Sequence, residues 1–173
     1  EKEKWKRKEL KYISKIIPYG RHIVDEDDIE SVIRVLKSDF LTQGPMIEIL
    51  EKRIANYVGA KYAVAVSSCT AGLHLSYIAL GLKKSDEILT SPITFVSTAN
   101  AALFCNASVR LVDINRDTLI MDPIKISEIL RNKNKIKICV PVLFAGASEG
   151  IEKISKIARQ HNKYIVEDAA HGL

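Results

Sequence analysis

Apolar positions between Asp25 and Gly59 recur with helical spacing, whereas beyond Tyr62 they gather into short continuous runs. Ile29, Val32, Ile33 and Leu36 follow the i, i+3, i+4, i+7 pattern of an amphipathic helix, with Asp25 placed to cap its start. Residues 38–45 read as a loop. A second helix is predicted from near Met46, carrying Ile47, Leu50, Ile54 and Tyr57 on one face and stopping at Gly59. Residues 62–66 form a continuous apolar run and read as a strand, followed by a small-residue turn and a helix over residues 70–80 that ends at Gly81. The same unit then recurs. Strands are predicted at residues 87–90, 109–113, 136–144 and 164–167, with helices near residues 95–105, 123–131 and 151–161. Asp122 before Pro123 supplies a cap and a proline at the first helical position. Strands that are apolar throughout and alternate with helices predict an α/β fold of three layers, a mainly parallel sheet with helices on both faces. Ligands of such sheets bind at the carboxyl ends of the strands.

Composition agrees with a globular chain. The 173 residues are 47% hydrophobic, 27% charged and 6% aromatic, which argues against disorder and against a disulfide scaffold. No stretch approaches the roughly 20 uninterrupted apolar residues of a membrane span, and no apolar segment follows the N-terminal charges as in a secretory signal. The cytoplasm is the expected compartment. Cys69, Cys105 and Cys139 are odd in number and lack Cys-x-x-Cys spacing, so buried, reduced thiols are expected. His22, His74 and His161 share no ligand spacing, and no metal is expected. The formal charge is +5, but most of it lies in a basic leader, residues 1–16, and the remainder is nearly neutral. That arm, with its single Trp5, could touch RNA or anionic lipid. A solvated leader is the plainer reading, and neither nucleic acid nor membrane is expected as a partner.

None of the eight glycines forms a Gly-x-Gly pair, so a Rossmann fingerprint and a Walker loop are both absent. Three other strand-to-helix crossings carry chemistry. Ser67-Ser68-Cys69-Thr70-Ala71-Gly72 opens a helix, where free backbone N–H groups and the helix dipole attract an anion and the Ser68 and Thr70 hydroxyls add donors. The same residues also serve as ordinary helix caps. Glu167-Asp168-Ala169-Ala170-His171 leaves an apolar strand, and a carboxylate there needs a cation or hydrogen-bond donors. A protonated pyridine nitrogen would serve, and so would a turn that the aspartate caps. In the third crossing, residues 91–100, Phe95 offers either a flat ring for a heteroaromatic cofactor or a core side chain.

Taken together these segments resemble the DegT/StrS-type sugar aminotransferases of the aspartate aminotransferase superfamily, fold type I. The resemblance runs from Ile17 through Ile17-Pro18-Tyr19-Gly20-Arg21, Leu41-Thr42-Gln43-Gly44-Pro45, the segment from Tyr57 to Ser68, Thr94-Phe95, Pro141-Val142 and Glu167-Asp168-Ala169-Ala170-His171. It implies pyridoxal 5′-phosphate (PLP) as cofactor, a nucleotide-linked keto-6-deoxy sugar as substrate, glutamate as amino donor and a homodimer with shared sites. Carried over position by position, it implies that Ser68, Cys69 and Thr70 hold the phosphate, that Phe95 stacks on the pyridine ring, and that Asp168 pairs with the ring nitrogen. It places His171, where most members have Gln, near the phenolic oxygen. Thr42, Gln43 and Gly44 correspond to the loop lining the sugar site and approaching the dimer partner. The implied organisation is a leader over residues 1–16, N-terminal helices with the substrate and dimer loop over 17–60, and an incomplete PLP-binding large domain over 61–173.

Two departures accompany the resemblance. Many relatives have Pro-Val-His where this chain has Pro141-Val142-Leu143, which removes a polar contact. In the family the Schiff-base lysine, in a Ser-x-His-x-x-Lys type motif, follows the Asp168 segment, and the chain ends at Leu173. Lys83, Lys84, Lys133, Lys135, Lys137 and Lys163 read as solvent lysines and not substitutes, so the chain alone is expected not to turn over. The alternatives are a truncated homologue without catalysis that acts as a binding protein or a remnant, and a sugar dehydratase of the same family, whose branch has His in place of that lysine.

Overall fold

The computed structural model describes residues 20–132 and 135–172. The basic leader, residues 17–19 of the resemblance and Lys133 lie outside the described residues. The chain divides into two units, one ending at Leu50 and the other beginning at Glu51.

The first unit holds helix α1 (Glu26–Leu36) and the start of helix α2 (Pro45–Val58). Asp25 caps α1 through a reciprocal capping box with Asp28, at 3.0 and 3.1 Å, which satisfies two otherwise orphaned N–H groups. The helical stripe is present, although Ile29, Val32, Ile33 and Leu36 are all exposed. Gln43, in the left-handed region at φ 52°, and Gly44 then turn the chain into α2. A Cβ on Gly44 would come within 2.8 Å of the Phe40 Cβ, so this tight turn admits only glycine without a shift.

In the second unit, helix α3 (Cys69–Ala79), strand β1 (Glu87–Thr90), helix α4 (Ser97–Phe104), strand β2 (Ser108–Leu111), helix α5 (Pro123–Arg131), strand β3 (Ile136–Val140), helix α6 (Ile151–Gln160) and strand β4 (Tyr164–Ile165) follow in order. All pairings are parallel, in the order β2-β1-β3-β4. Each face of the central strands β1 and β3 is buried by its own pair of helices, whereas the edge strand β2 is largely exposed. Ile88, Ile138 and Val140 pack with Leu73 and Tyr77 of α3 and Ala101 and Ala102 of α4. Leu89 and Cys139 point the other way, into Ile126 and Leu130 of α5 and Ile154 and Ala158 of α6.

Ile136 lies on the α5–α6 side although it is two residues from Ile138, because the β1–β3 register shifts between Glu87 and Ile88. A one-residue irregularity of this kind moves the next side chain to the opposite face. Its extra residue, Lys137, reaches the Gly81 carbonyl at 2.6 Å and Asp86 at 3.6 Å, so it ties the end of α3 to the sheet instead of lying free in solvent as expected.

Residues 62–66, expected as a strand, form no regular element and pair with no strand among the described residues, and Tyr62, Val64 and Val66 are exposed. An apolar run becomes a strand only where a neighbouring edge receives its backbone groups. Here the Ala65 N–H goes to the Glu51 carboxylate at 2.8 Å. The cysteine expectation needs the same correction. Cys139 is buried and Cys105 partly so, but Cys69 is exposed because it begins a helix at the sheet's open end.

Candidate functional site

The carboxyl ends of β1, β3 and β4 and the amino end of α3 converge on Asp168. Pairing of β3 with β4 persists past the regular ladder: Val166 N–H donates to the Cys139 carbonyl at 3.1 Å, Asp168 N–H to Pro141 at 2.9 Å, and Leu143 N–H to Asp168 at 3.0 Å. This extension fixes the Asp168 backbone, and strand alternation separates it from its neighbour. Glu167 is exposed and lines a groove of about 650 Å³ with Lys156 and Arg159 of α6, whereas Asp168 turns inward and is 3% exposed. That groove contains none of the other residues singled out from the sequence.

The Asp168 carboxylate is surrounded by neutral donors. Thr98 Oγ1 donates to Oδ2 at 2.5 Å, the Cys69 thiol donates to Oδ1 at 3.6 Å, and the Ala170 N–H reaches Oδ1 at 3.3 Å. Among the described residues no cationic side chain pairs with it. Partial burial first, then the charge and hydrogen bond of Asp168, push the Cys69 thiol up from its ordinary value, which favours the protonated form that donates to Asp168.

Ser68 caps α3 by accepting the Ala71 N–H at 3.2 Å, which leaves the N–H groups of Cys69 and Thr70 as first-turn donors without an intrahelical acceptor. Thr70 is half-buried on that turn. Phe95 is 73% exposed on this segment, and its carbonyl takes the Thr98 N–H at 3.2 Å. His171 is brought not to Asp168 but to the turn after β3: its Nδ1 accepts the Ala145 N–H at 3.3 Å, and its ring lies 6.3 Å from that of Phe144. A neutral His171 therefore keeps its proton on Nε2, which is left as its donor. Thr42, Gln43 and Gly44 belong to the first unit.

Thr98 was not singled out from the sequence. It is fully buried, and its carbonyl accepts the hydroxyl of the equally buried Tyr77 at 3.2 Å. The only sequence signal was a hydroxyl four residues after Thr94 in a run of small residues. Lys83, Lys84, Lys135, Lys137 and Lys163 all lie where the chain enters strands or leaves α3, at the edge opposite Asp168. The 11 residues of α3 alone span about 16 Å between those ends.

Comparison with known proteins bears on this geometry. Residues 22–173 match the model of the DegT/DnrJ/EryC1/StrS aminotransferase family. The chain belongs to that family. Among curated relatives, the spore coat polysaccharide biosynthesis protein SpsC of Bacillus subtilis is 40% identical over 157 residues, which are 91% of this chain and 40% of SpsC. The UDP-4-amino-4,6-dideoxy-N-acetyl-beta-L-altrosamine transaminase of Campylobacter jejuni is 35% identical over 158 residues, 91% of this chain and 42% of the relative. Among solved structures, NtdA from Bacillus subtilis with bound cofactor PMP superposes with a TM-score of 0.79 at 29% identity, covering 90% of this chain and 39% of NtdA. The chain thus spans about 40% of the length of the family members it matches. The parallel sheet between two helical layers is the fold they share.

Proposed function

We propose that the protein carrying this sequence is a PLP-dependent aminotransferase that moves an amino group from glutamate to the keto group of a nucleotide-linked 6-deoxy sugar, in the synthesis of a polysaccharide or glycan, as a homodimer. The observation that carries the reading is the buried Asp168 carboxylate, which has three neutral donors and, among the described residues, no cationic partner. A buried carboxylate without a counter-charge is costly, and a protonated ring nitrogen is the cation that such a strand end accommodates. The residues present therefore fit the cofactor. When bound, PLP supplies an electron sink for the carbanion formed beside the donor nitrogen.

The chain's own residues do the remainder of what this segment contributes. The N–H groups of Cys69 and Thr70, with the Thr70 hydroxyl, bind the phosphate at the positive end of α3, and Ser68 holds that end open by capping it. Phe95 covers one face of the ring and excludes water there, which its exposure leaves it free to do. Asp168 keeps the ring nitrogen protonated. His171 donates from Nε2 toward the phenolic oxygen, and Thr42, Gln43 and Gly44 contribute to the sugar site. The covalent lysine is not one of the lysines at the opposite edge of the sheet.

The experiment is incubation of the full-length, PLP-loaded protein with glutamate and a UDP-linked 4-keto-6-deoxy-N-acetylhexosamine, read by mass spectrometry. An amino sugar and 2-oxoglutarate are expected. A sugar that has lost a hydroxyl as water, with no amine gained, would overturn the reading in favour of a dehydratase. A specific borohydride-trapped adduct on Lys83, Lys84, Lys135, Lys137 or Lys163 would overturn the exclusion of those lysines.

A further inference from the structure

Thr98 has a single hydroxyl proton and two oxygen neighbours, Asp168 Oδ2 and, at 2.6 Å, Thr94 Oγ1. A carboxylate only accepts, so that proton goes to Asp168, and Thr98 Oγ1 in turn accepts from Thr94. The Thr94 proton is then withdrawn from its other neighbour, the Phe95 carbonyl at 3.2 Å. The result is a directed chain from Thr94 to Thr98 to Asp168, and hydrogen bonds in such a chain polarise one another. Tyr77 fixes the far side of Thr98 by donating to its carbonyl. Burial, and after it the Asp168 charge, raise the Tyr77 hydroxyl well above its ordinary value, so it remains a donor. The other contacts on Asp168, a thiol at 3.6 Å and an N–H at 3.3 Å, are longer and weaker. The orientation of the carboxylate thus depends chiefly on one side chain.

We propose that Thr98 is the positioning residue of this site: its hydroxyl, backed by Thr94 and anchored through Tyr77, holds the Asp168 carboxylate in place for a cationic ring nitrogen. The proposal rests on the cofactor reading above, and its test separates the two. In the full-length protein, dissociation constants would be measured by fluorescence titration for pyridoxamine 5′-phosphate and for its 1-deaza analogue, which has the same phosphate and ring shape but no ring nitrogen. The wild type should prefer the nitrogen-containing compound. Thr98→Val should weaken that compound by about tenfold, the scale of a hydrogen bond to a charged group, and leave the deaza analogue unchanged. Thr98→Ser should restore the preference. Thr98→Ala, which a helix accepts more readily than valine, should behave as Thr98→Val and provides the same readout if the valine variant does not fold.

Equal weakening of both compounds by the valine or alanine variant would overturn the proposal, since a merely structural threonine would affect both alike. A wild-type preference that survives removal of the hydroxyl would also overturn it. A wild type without any preference would overturn the pairing of Asp168 with a ring nitrogen, and the proposal with it.

Discussion

Raising the pH from about 9 to about 11 should destabilise this chain through two buried groups on opposite faces of its sheet. Cys139, fully buried in β3, has its thiol pushed from an ordinary 9.0 up to about 12 by burial, with the Lys163 charge opposing only in part. Tyr77, fully buried against the other face, is raised above its ordinary 10.0 by burial and by the Asp168, Cys69 and Cys105 charges. Once unfolded, both groups ionise at their ordinary values; folded, both keep their protons. The native state then binds more protons than the unfolded one, so stability falls as pH rises. The contribution is fully present below about pH 9 and is lost through the alkaline range. One such proton is worth about 1.4 kcal/mol per pH unit. About pH 11 is about two units above the ordinary value of the thiol and about one above that of the phenol, giving roughly 4 kcal/mol together, a large part of a typical domain's stability. Urea unfolding at steps of one pH unit, with a phosphine reductant present, measures this. Cys139→Ala begins less stable because it leaves a small cavity, but its loss between about pH 9 and 11 should be shallower by about 1.4 kcal/mol per unit. Parallel losses in the wild type and the variant would refute the reasoning.

Smaller perturbations test individual joints of the site. Ser68→Ala removes the cap of α3 and should cost about 1 kcal/mol in urea unfolding, whereas Ser68→Gly should cost only a few tenths. Gly146→Ala places a Cβ 2.9 Å from the His171 carbonyl oxygen at a φ of +79°, and should destabilise the turn after β3 by about 1–3 kcal/mol, read as earlier hydrogen exchange at Ala145. Tyr77→Phe removes one donor from the Thr98 carbonyl. The loss of that single neutral hydrogen bond should stay near 1 kcal/mol by thermal unfolding.

What the sequence made legible was whatever depends on local pattern. Helix α1 begins where Asp25 can cap it, α5 begins at Pro123 behind Asp122, and α2 and α3 end beside Gly59 and Gly81, both at positive φ. The apolar runs of β1 and β3 disclosed a parallel sheet covered on both faces, because both faces of those central strands are buried. Residues 62–66 read as a strand for the same reason, yet strand formation needs a partner edge that local pattern does not describe. The role of Thr98 was illegible because its partners are Asp168, 70 residues away, and Tyr77, 21 residues away. The inward turn of Asp168 and outward turn of Glu167 depend on the register of β4 against β3, which neighbouring residues alone do not set.

The central proposal is that the buried Asp168 carboxylate, three residues beyond β4, pairs with a ring-nitrogen cation, and Asp168→Asn tests it most directly. The amide keeps the size of the side chain and removes its charge. Titration of the full-length protein with pyridoxamine 5′-phosphate, alongside circular dichroism to confirm the fold, should show affinity reduced about tenfold or more in the variant. Unchanged affinity in a folded Asp168→Asn protein would contradict the account.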